Sequence, residues 1–170
     1  EGLGVSKPVL IGHSLGAAIS LSFVIRYGHM TAAVVPVGGG VRMLVNPAIL
    51  EGLKQNPAAI IGLAAKFSIA KANRERFSGL ITETLSRVNP EILHGDFAAC
   101  DQLDLMDAVA DIRVPALVIC GSEDKMTPPA LSQCLGEKIP DAKLVLIPGA
   151  GHFVMLENPE AFNAALFDFV

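Results

Sequence analysis

The pentapeptide Gly12-His13-Ser14-Leu15-Gly16 follows an apolar run, Pro8-Val9-Leu10-Ile11, and precedes a helix-like run from Ala17 to Tyr27. A chain with that order has to turn sharply from strand to helix at Ser14. A serine on such a corner is held in a strained backbone conformation, and its hydroxyl is pushed out above the sheet. The flanking glycines read as steric necessities. A side chain at 12 or 16 is expected to collide where strand and helix fold back on each other.

The rest of the chain repeats the alternation of apolar strand and helix. Lys7–Ile11 is expected as a short buried strand, and Leu15–Gly28 as a helix with Gly28 near its C-cap. Thr31–Val37 reads as a second strand, with Pro36 tolerable near its end. Gly38-Gly39-Gly40 then punctuates the chain. From Val41 to Ala110 strand-like alternation gives way to helical segments, separated by Asn46-Pro47, Asn56-Pro57, Ser78-Gly79 and Asn89-Pro90. Val114–Cys120 is a third strand, Pro128–Lys138 a helix, Lys143–Ile147 a fourth strand, and Asn158–Val170 a closing helix opened by Pro159. Apolar strands alternating with helices predict a parallel sheet covered on both faces, α/β in class. Four strands are expected. The domain division follows: residues 1–40 and 111–170 form the α/β core, and residues 41–110 form a helical insertion.

Composition narrows the function. The 170 residues suffice for one domain with a sizeable core. They are 51% hydrophobic and only 18% charged, which argues against disorder. A net charge of −4 without a basic cluster offers nothing to nucleic acid. The longest uncharged apolar stretches, such as Ala17 to Ile25, fall short of the roughly 20 residues of a membrane helix. No signal-peptide or lipidation pattern is seen, so no membrane partner is expected. Cys100, Cys120 and Cys134 are odd in number and lack C-x-x-C spacing. They read as buried free thiols in a reducing, cytoplasmic compartment. His13, His29, His94 and His152 are dispersed without metal-ligand spacing.

A serine that acts as a nucleophile needs a base, and the base needs an orienting acid. In an open parallel sheet, functional groups gather beyond the carboxyl ends of the strands. After the third strand comes Gly121-Ser122-Glu123-Asp124-Lys125-Met126-Thr127-Pro128-Pro129. Asp124 is the candidate acid and Glu123 its competitor, since adjacent residues point in different directions. After the fourth strand comes Pro148-Gly149-Ala150-Gly151-His152-Phe153, in which two glycines allow the imidazole of His152 to swing over the sheet edge. His13 is a poor base for its own neighbour and is expected to pack under the corner. His94 is expected to be structural or on a pocket rim. Asp96, Asp101, Asp104, Asp107 and Asp111 read as a solvated face with caps.

The order Ser14, Asp124, His152 is that of the α/β-hydrolases. The chain resembles that fold family through Gly12-His13-Ser14-Leu15-Gly16, through Val114-Pro115-Ala116-Leu117-Val118-Ile119-Cys120-Gly121 leading to Asp124, and through Gly149-Ala150-Gly151-His152 followed by Leu156-Glu157-Asn158-Pro159-Glu160. The resemblance is to its small serine esterases, enol-lactonases and carbon–carbon bond hydrolases. Dehalogenases and epoxide hydrolases of the fold carry aspartate where this chain has Ser14. The chain opens with Glu1-Gly2-Leu3-Gly4, which resembles the tail of the helix leading into the elbow strand. On that reading it corresponds to the C-terminal two-thirds of a hydrolase whose first strands precede it, and the resemblance implies a four-stranded sheet with the Ser14 strand at one border and the last strand at the other.

The resemblance implies a Ser14–His152–Asp124 triad acting on a small apolar ester, lactone or similar carbonyl substrate, with no cofactor and no metal. The backbone N–H of Leu15 would serve as one oxyanion donor, its partner donor lying in the family's earlier strands. The insertion would form a lid, with Met43, Leu44 and Phe67 as candidate substrate contacts beside Ile60, Ile61 and Leu63. A carbon–carbon hydrolase, a cofactor-free haloperoxidase and a non-catalytic ligand-binding module on the same fold are the alternatives.

Overall fold

The computed structural model describes residues 4–170. Four parallel strands form one sheet in the order β1-β2-β3-β4: β1 (Val9–His13), β2 (Ala33–Val37), β3 (Leu117–Gly121) and β4 (Lys143–Ile147). β1 and β4 are the borders, as the family resemblance implies. The helix tail expected at the start falls partly on residues 1–3, outside the described residues, and Gly4–Ser6 is not helical. β1, β2 and β3 each begin two or three residues later than the apolar runs suggest. Pro8 and Pro115 stand just before β1 and β3, where they can donate no ladder hydrogen bond.

Pro36 does sit inside β2, opposite Gly12 of β1. Its missing N–H falls on the β3 side. Val34 donates to the Pro115 carbonyl at 3.0 Å and Gly38 to that of Ile119 at 2.9 Å, and the proline between them donates nothing. The β2–β3 pairing is accordingly broken into a bridge at Val34–Ala116 and a pair at Val37–Ile119. β2 and β3 are nonetheless buried along their whole length.

Period-two alternation sends side chains to two separate cores. Leu10, Val34, Ala116 and Val118 face one side, covered by α1 (Leu15–Tyr27) and, after β3, by the helix Pro129–Lys138. Val9, Val35, Val37, Leu117, Ile119 and Ile147 face the other, covered by the C-terminal helix Pro159–Phe167.

Between β2 and β3 stand four helices: α2 (Pro47–Gln55), α3 (Pro57–Ser68), α4 (Arg74–Ser86) and α5 (Pro90–Asp101). The helices named above are then α6 (Pro129–Lys138) and α8 (Pro159–Phe167), with the short α7 (Val154–Glu157) before the last. α2, α3, α5 and α8 start by one device. An asparagine side chain (Asn46, Asn56, Asn89 or Asn158) accepts a hydrogen bond from a first-turn N–H, and a proline follows it. The sequence break expected at Ser78-Gly79 is not one. Both residues lie inside α4, which is held by the buried Phe77 and Ile81 on its other face. The actual break comes at Ile69-Ala70, whose extended backbone separates α3 from α4. Among the described residues no helix is long and apolar enough to cross a membrane.

The two elbow glycines differ. A Cβ on Gly12 would overlap the Gly16 carbonyl, whereas a Cβ on Gly16 would meet nothing within 4 Å. The collision expected at 16 is thus absent, because the close approach is made by its carbonyl and not by its α-carbon. Gly12→Ala is therefore expected to destabilise the chain by about 1–3 kcal/mol through overpacking. Gly16→Ala, at a helical position, should be neutral or slightly stabilising. Thermal melts of the two variants check the difference, and equal losses would contradict it.

Candidate active site

Ser14 occupies the corner between β1 and α1 with φ 54° and ψ −117°. That backbone conformation is costly for any residue but glycine. It is held from both sides. Ser14 N–H donates to the Val37 carbonyl at 2.9 Å, and the Ser14 carbonyl accepts from Ala17 N–H at 2.9 Å to start the helix. Leu15 is the first residue of α1, so its N–H belongs to the opening turn, which has no intrahelical acceptor.

Asp124 and His152 meet at the carboxyl ends of β3 and β4. His152 Nδ1–H donates to Asp124 Oδ2 at 2.8 Å, and both residues are buried, at 4% and 3% exposure. That bond fixes the tautomer and leaves Nε2 as the basic nitrogen. Glu123, the competing acid, is exposed, and its N–H is tied to the Ala150 carbonyl at 2.9 Å. Asp124 Oδ1 accepts from Met126 N–H and Thr127 N–H, each at 2.9 Å. Burial by itself raises the Asp124 carboxyl. The hydrogen bond and charge of His152, with the Thr127 donors, outweigh burial and hold it below its ordinary value.

Thr127 is a partner the sequence reading missed. Its hydroxyl lies 2.8 Å from the Gly38 carbonyl, 2.9 Å from Asp124 Oδ2 and 3.1 Å from His152 Nδ1. Its one proton goes to the carbonyl or to the carboxylate. The signal available was an Asp-x-x-Thr spacing before Pro128-Pro129.

His13 packs inward as expected of a poor base: Gly12 points at α1, so the next residue points to the opposite face of the sheet. The His13 ring packs against His152, with centroids 4.5 Å apart, and against Phe153 at 5.1 Å. Its Nε2–H donates to the His152 carbonyl at 2.9 Å. Burial, with the neighbouring His152 adding to it, pushes His13 down from 6.5 to about 4, so it is neutral at pH 7.

Ser14 and His152 line one cavity of about 210 Å³, whose wall is otherwise mostly apolar: Leu53, Ile60, Ile61, Ala64, Leu85, Leu93, Phe97, Met126 and Phe153, with His13 and Ser68. A second apolar cavity of about 270 Å³ shares Ile60, Ala64, Phe97 and Met126 with it. Of the candidate substrate contacts, Ile60 and Ile61 line the first cavity, and Phe67 and Leu63 line the second. Met43 and Leu44 line neither and belong to a pocket beside Arg42 and Leu131. Their segment, just after β2, turns toward α6 and not toward α3. His94 lies by a separate pocket with Asn89 and Lys54. Asp101 accepts from Val45 N–H at 2.9 Å, and Asp104 pairs with Arg42, both structural roles. No group of His, Cys, Asp and Glu suited to a metal ion is found among the described residues. Burial pushes the Cys120 thiol up to about 11, which removes it as a nucleophile at neutral pH.

A family model described as the alpha/beta hydrolase family matches residues 1–165. The chain is 30% identical over 189 residues to a 2-hydroxy-6-oxo-6-phenylhexa-2,4-dienoate hydrolase of Burkholderia cepacia, covering 100% of this chain and 65% of that protein. The chain thus spans about two thirds of that relative's length. A solved structure of a thermophilic esterase superposes with a TM-score of 0.85 at 38% identity, over 98% of this chain and 67% of that one. The enol-lactonase of Burkholderia xenovorans LB400 superposes with a TM-score of 0.91 at 22% identity, over 98% and 66%, a likeness of fold.

The depressed His13 has a consequence for acid stability. Between pH 6.5 and about 4 the unfolded chain takes up a proton that the folded chain refuses, so stability falls as pH falls through that window. His13→Gln, which keeps a donor toward the His152 carbonyl, should flatten the decline. Chemical denaturation at pH 7, 5.5 and 4.5 measures it, and an unchanged slope in the variant would contradict the burial of His13.

Proposed function

The chain belongs to the alpha/beta hydrolase family, and within it we propose a serine hydrolase acting on esters or lactones with apolar acyl groups. The observation that carries this reading is the buried His152–Asp124 bond opening onto the same apolar cavity as the strained Ser14. Ser14 Oγ attacks the carbonyl carbon while His152 Nε2 takes its proton. Asp124 holds the imidazole in the productive tautomer and stabilises the imidazolium. The oxyanion that develops is met by Leu15 N–H at the start of α1, where the helix dipole also favours negative charge. His152 then returns the proton to the departing alkoxide, and water cleaves the acyl-enzyme by the same steps in reverse.

The helical stretch 41–110 is proposed as the lid. Its residues from α2, α3, α4 and α5 wall the cavity above Ser14, which suits an acyl chain and keeps bulk water from the reacting atoms. The likeness to the thermophilic esterase at 38% identity supports ester cleavage. The Burkholderia cepacia relative supports a second reading, carbon–carbon bond hydrolysis by the same three residues. Three free cysteines suit a reducing, cytoplasmic setting.

In the intact protein, Ser14→Ala is expected to lower the turnover of p-nitrophenyl butyrate by about 10⁴-fold or more. Retained turnover would refute the serine assignment. Turnover of a 2-hydroxy-6-oxo-6-phenylhexa-2,4-dienoate with none of the ester would favour the second reading. Thr127→Val is expected to cost roughly tenfold in kcat with KM little changed, because the hydroxyl touches the Asp124–His152 pair and not the cavity. A rise in KM alone would contradict that placement.

A further inference from the structure

The hydrolase reading leaves one motif unused, the Glu157 of Leu156-Glu157-Asn158-Pro159, and its surroundings are specific. Glu157 ends α7, half-buried, and lines neither apolar cavity. Its Oε1 accepts from Gly151 N–H at 2.9 Å. Its Oε2 accepts from Ala70 N–H and from Asn73 Nδ2, each at 2.9 Å. One carboxylate therefore joins the loop that carries His152 to the Ile69–Asn73 connection between α3 and α4.

The join is reinforced around it. His152 N–H donates to the Ser68 carbonyl at 2.7 Å, and Asn73 Nδ2 donates to the Gly149 carbonyl at 3.0 Å. Gly151 leaves no gap between the two segments: a Cβ there would stand 2.6 Å from Ala70 N and 2.8 Å from the Ser68 carbonyl oxygen. β4 ends at Ile147, so the His152 backbone has left the sheet ladder. Its N–H is tied to the end of α3 and its carbonyl to His13 at the end of β1.

We propose that Glu157 is a positioning residue that sets the reach of His152 by clamping its loop to the α3–α4 connection. The proposal rests on His152 being the base. Imidazole placement is then shared among three anchors: Asp124 grips the ring, His13 holds the His152 carbonyl from β1, and Glu157 grips the loop at Gly151 from the α3–α4 side. A displacement of the insertion at Ala70–Asn73 would then be felt at the base. A catalytic group misplaced by about 1 Å loses on the order of a hundredfold in rate.

The test uses the intact protein and a fluorophosphonate probe that reacts at an activated serine. Glu157→Gln puts an amide donor where only donors face it, and Glu157→Ala removes all three contacts. Asn73→Ala removes one of the three Glu157 contacts together with the bond to the Gly149 carbonyl, and Glu160→Gln, an exposed carboxylate on α8, serves as a control. In both Glu157 variants the maximal labelling rate should fall about tenfold or more with the probe's KI within about twofold. Asn73→Ala should lie between them and the wild type, and Glu160→Gln should match the wild type. In proton NMR, the hydrogen-bonded His152 Nδ1–H resonance should shift or broaden in the Glu157 variants while melts stay cooperative. Wild-type labelling together with an unchanged resonance in Glu157→Gln and Asn73→Ala would overturn the proposal even if Glu157→Ala fails to fold. Labelling that survives Ser14→Ala would instead count against the serine assignment, and the His152 resonance would still decide the role of Glu157.

Discussion

The hydrogen bond from His152 to Asp124 is the interaction on which the site depends. It lies where the ends of β2, β3 and β4 converge, out of reach of water. A carboxylate in that position is affordable only because each oxygen is met, Oδ1 by two backbone N–H groups and Oδ2 by the imidazole and the Thr127 hydroxyl. Removing a partner from such a group leaves desolvated charge behind, which costs far more than the pair contributes when intact. The same packing explains Gly121. A Cβ at that position would overlap the carbonyls of Ala150 and Gly151. The His152 loop can therefore lie directly against the end of β3, with Asp124 three residues further on.

The second constraint is the alternation of side chains along β1. Gly12 faces α1 and is filled by the helix itself, so the helix can start immediately after the strand. His13, one residue on, faces the other layer and reaches the back of His152. One dipeptide thus serves two layers: the first residue lets the corner form, and the second packs against the His152 ring. The strain stored at Ser14 is held by the Val37 carbonyl on the sheet side and by the first turn of α1 on the other. The broken ladder at Pro36 lies beside this junction, and the burial of β2 on both faces compensates for it.

Much of this was legible because strand ends in a parallel sheet are where side chains converge. Asking which acid and which histidine follow an apolar run leads to Asp124 and His152 without any structure. The border positions of the first and last strands come from the family resemblance and not from any pattern in the residues. Other features rest on contacts that no local pattern encodes. Gly79 looks like a helix breaker, yet it sits on the exposed side of α4 while Phe77 and Ile81 hold the helix down. Met43 and Leu44 are as apolar as Ile60 and Ile61, but the turn after Gly40 directs them to α6. Glu123 and Asp124 are indistinguishable by type, and the tie between Glu123 N–H and the Ala150 carbonyl decides which one turns inward. Glu157 pairs with a segment more than eighty residues away, a separation at which spacing carries no signal.

The three groups proposed to act together follow the ends of three strands of one sheet, and the cavity that Ser14 and His152 share is walled largely by α2, α3, α4 and α5. The most direct measurement is a structure of the intact protein after reaction with a phosphonate ester. The account predicts phosphorus bonded to Ser14 Oγ, a phosphoryl oxygen facing Leu15 N–H, and His152 Nε2 within hydrogen-bond distance of the adduct while Nδ1 stays on Asp124. An unmodified Ser14 beside an adduct elsewhere, or a His152 ring turned away from the modified serine, would contradict it.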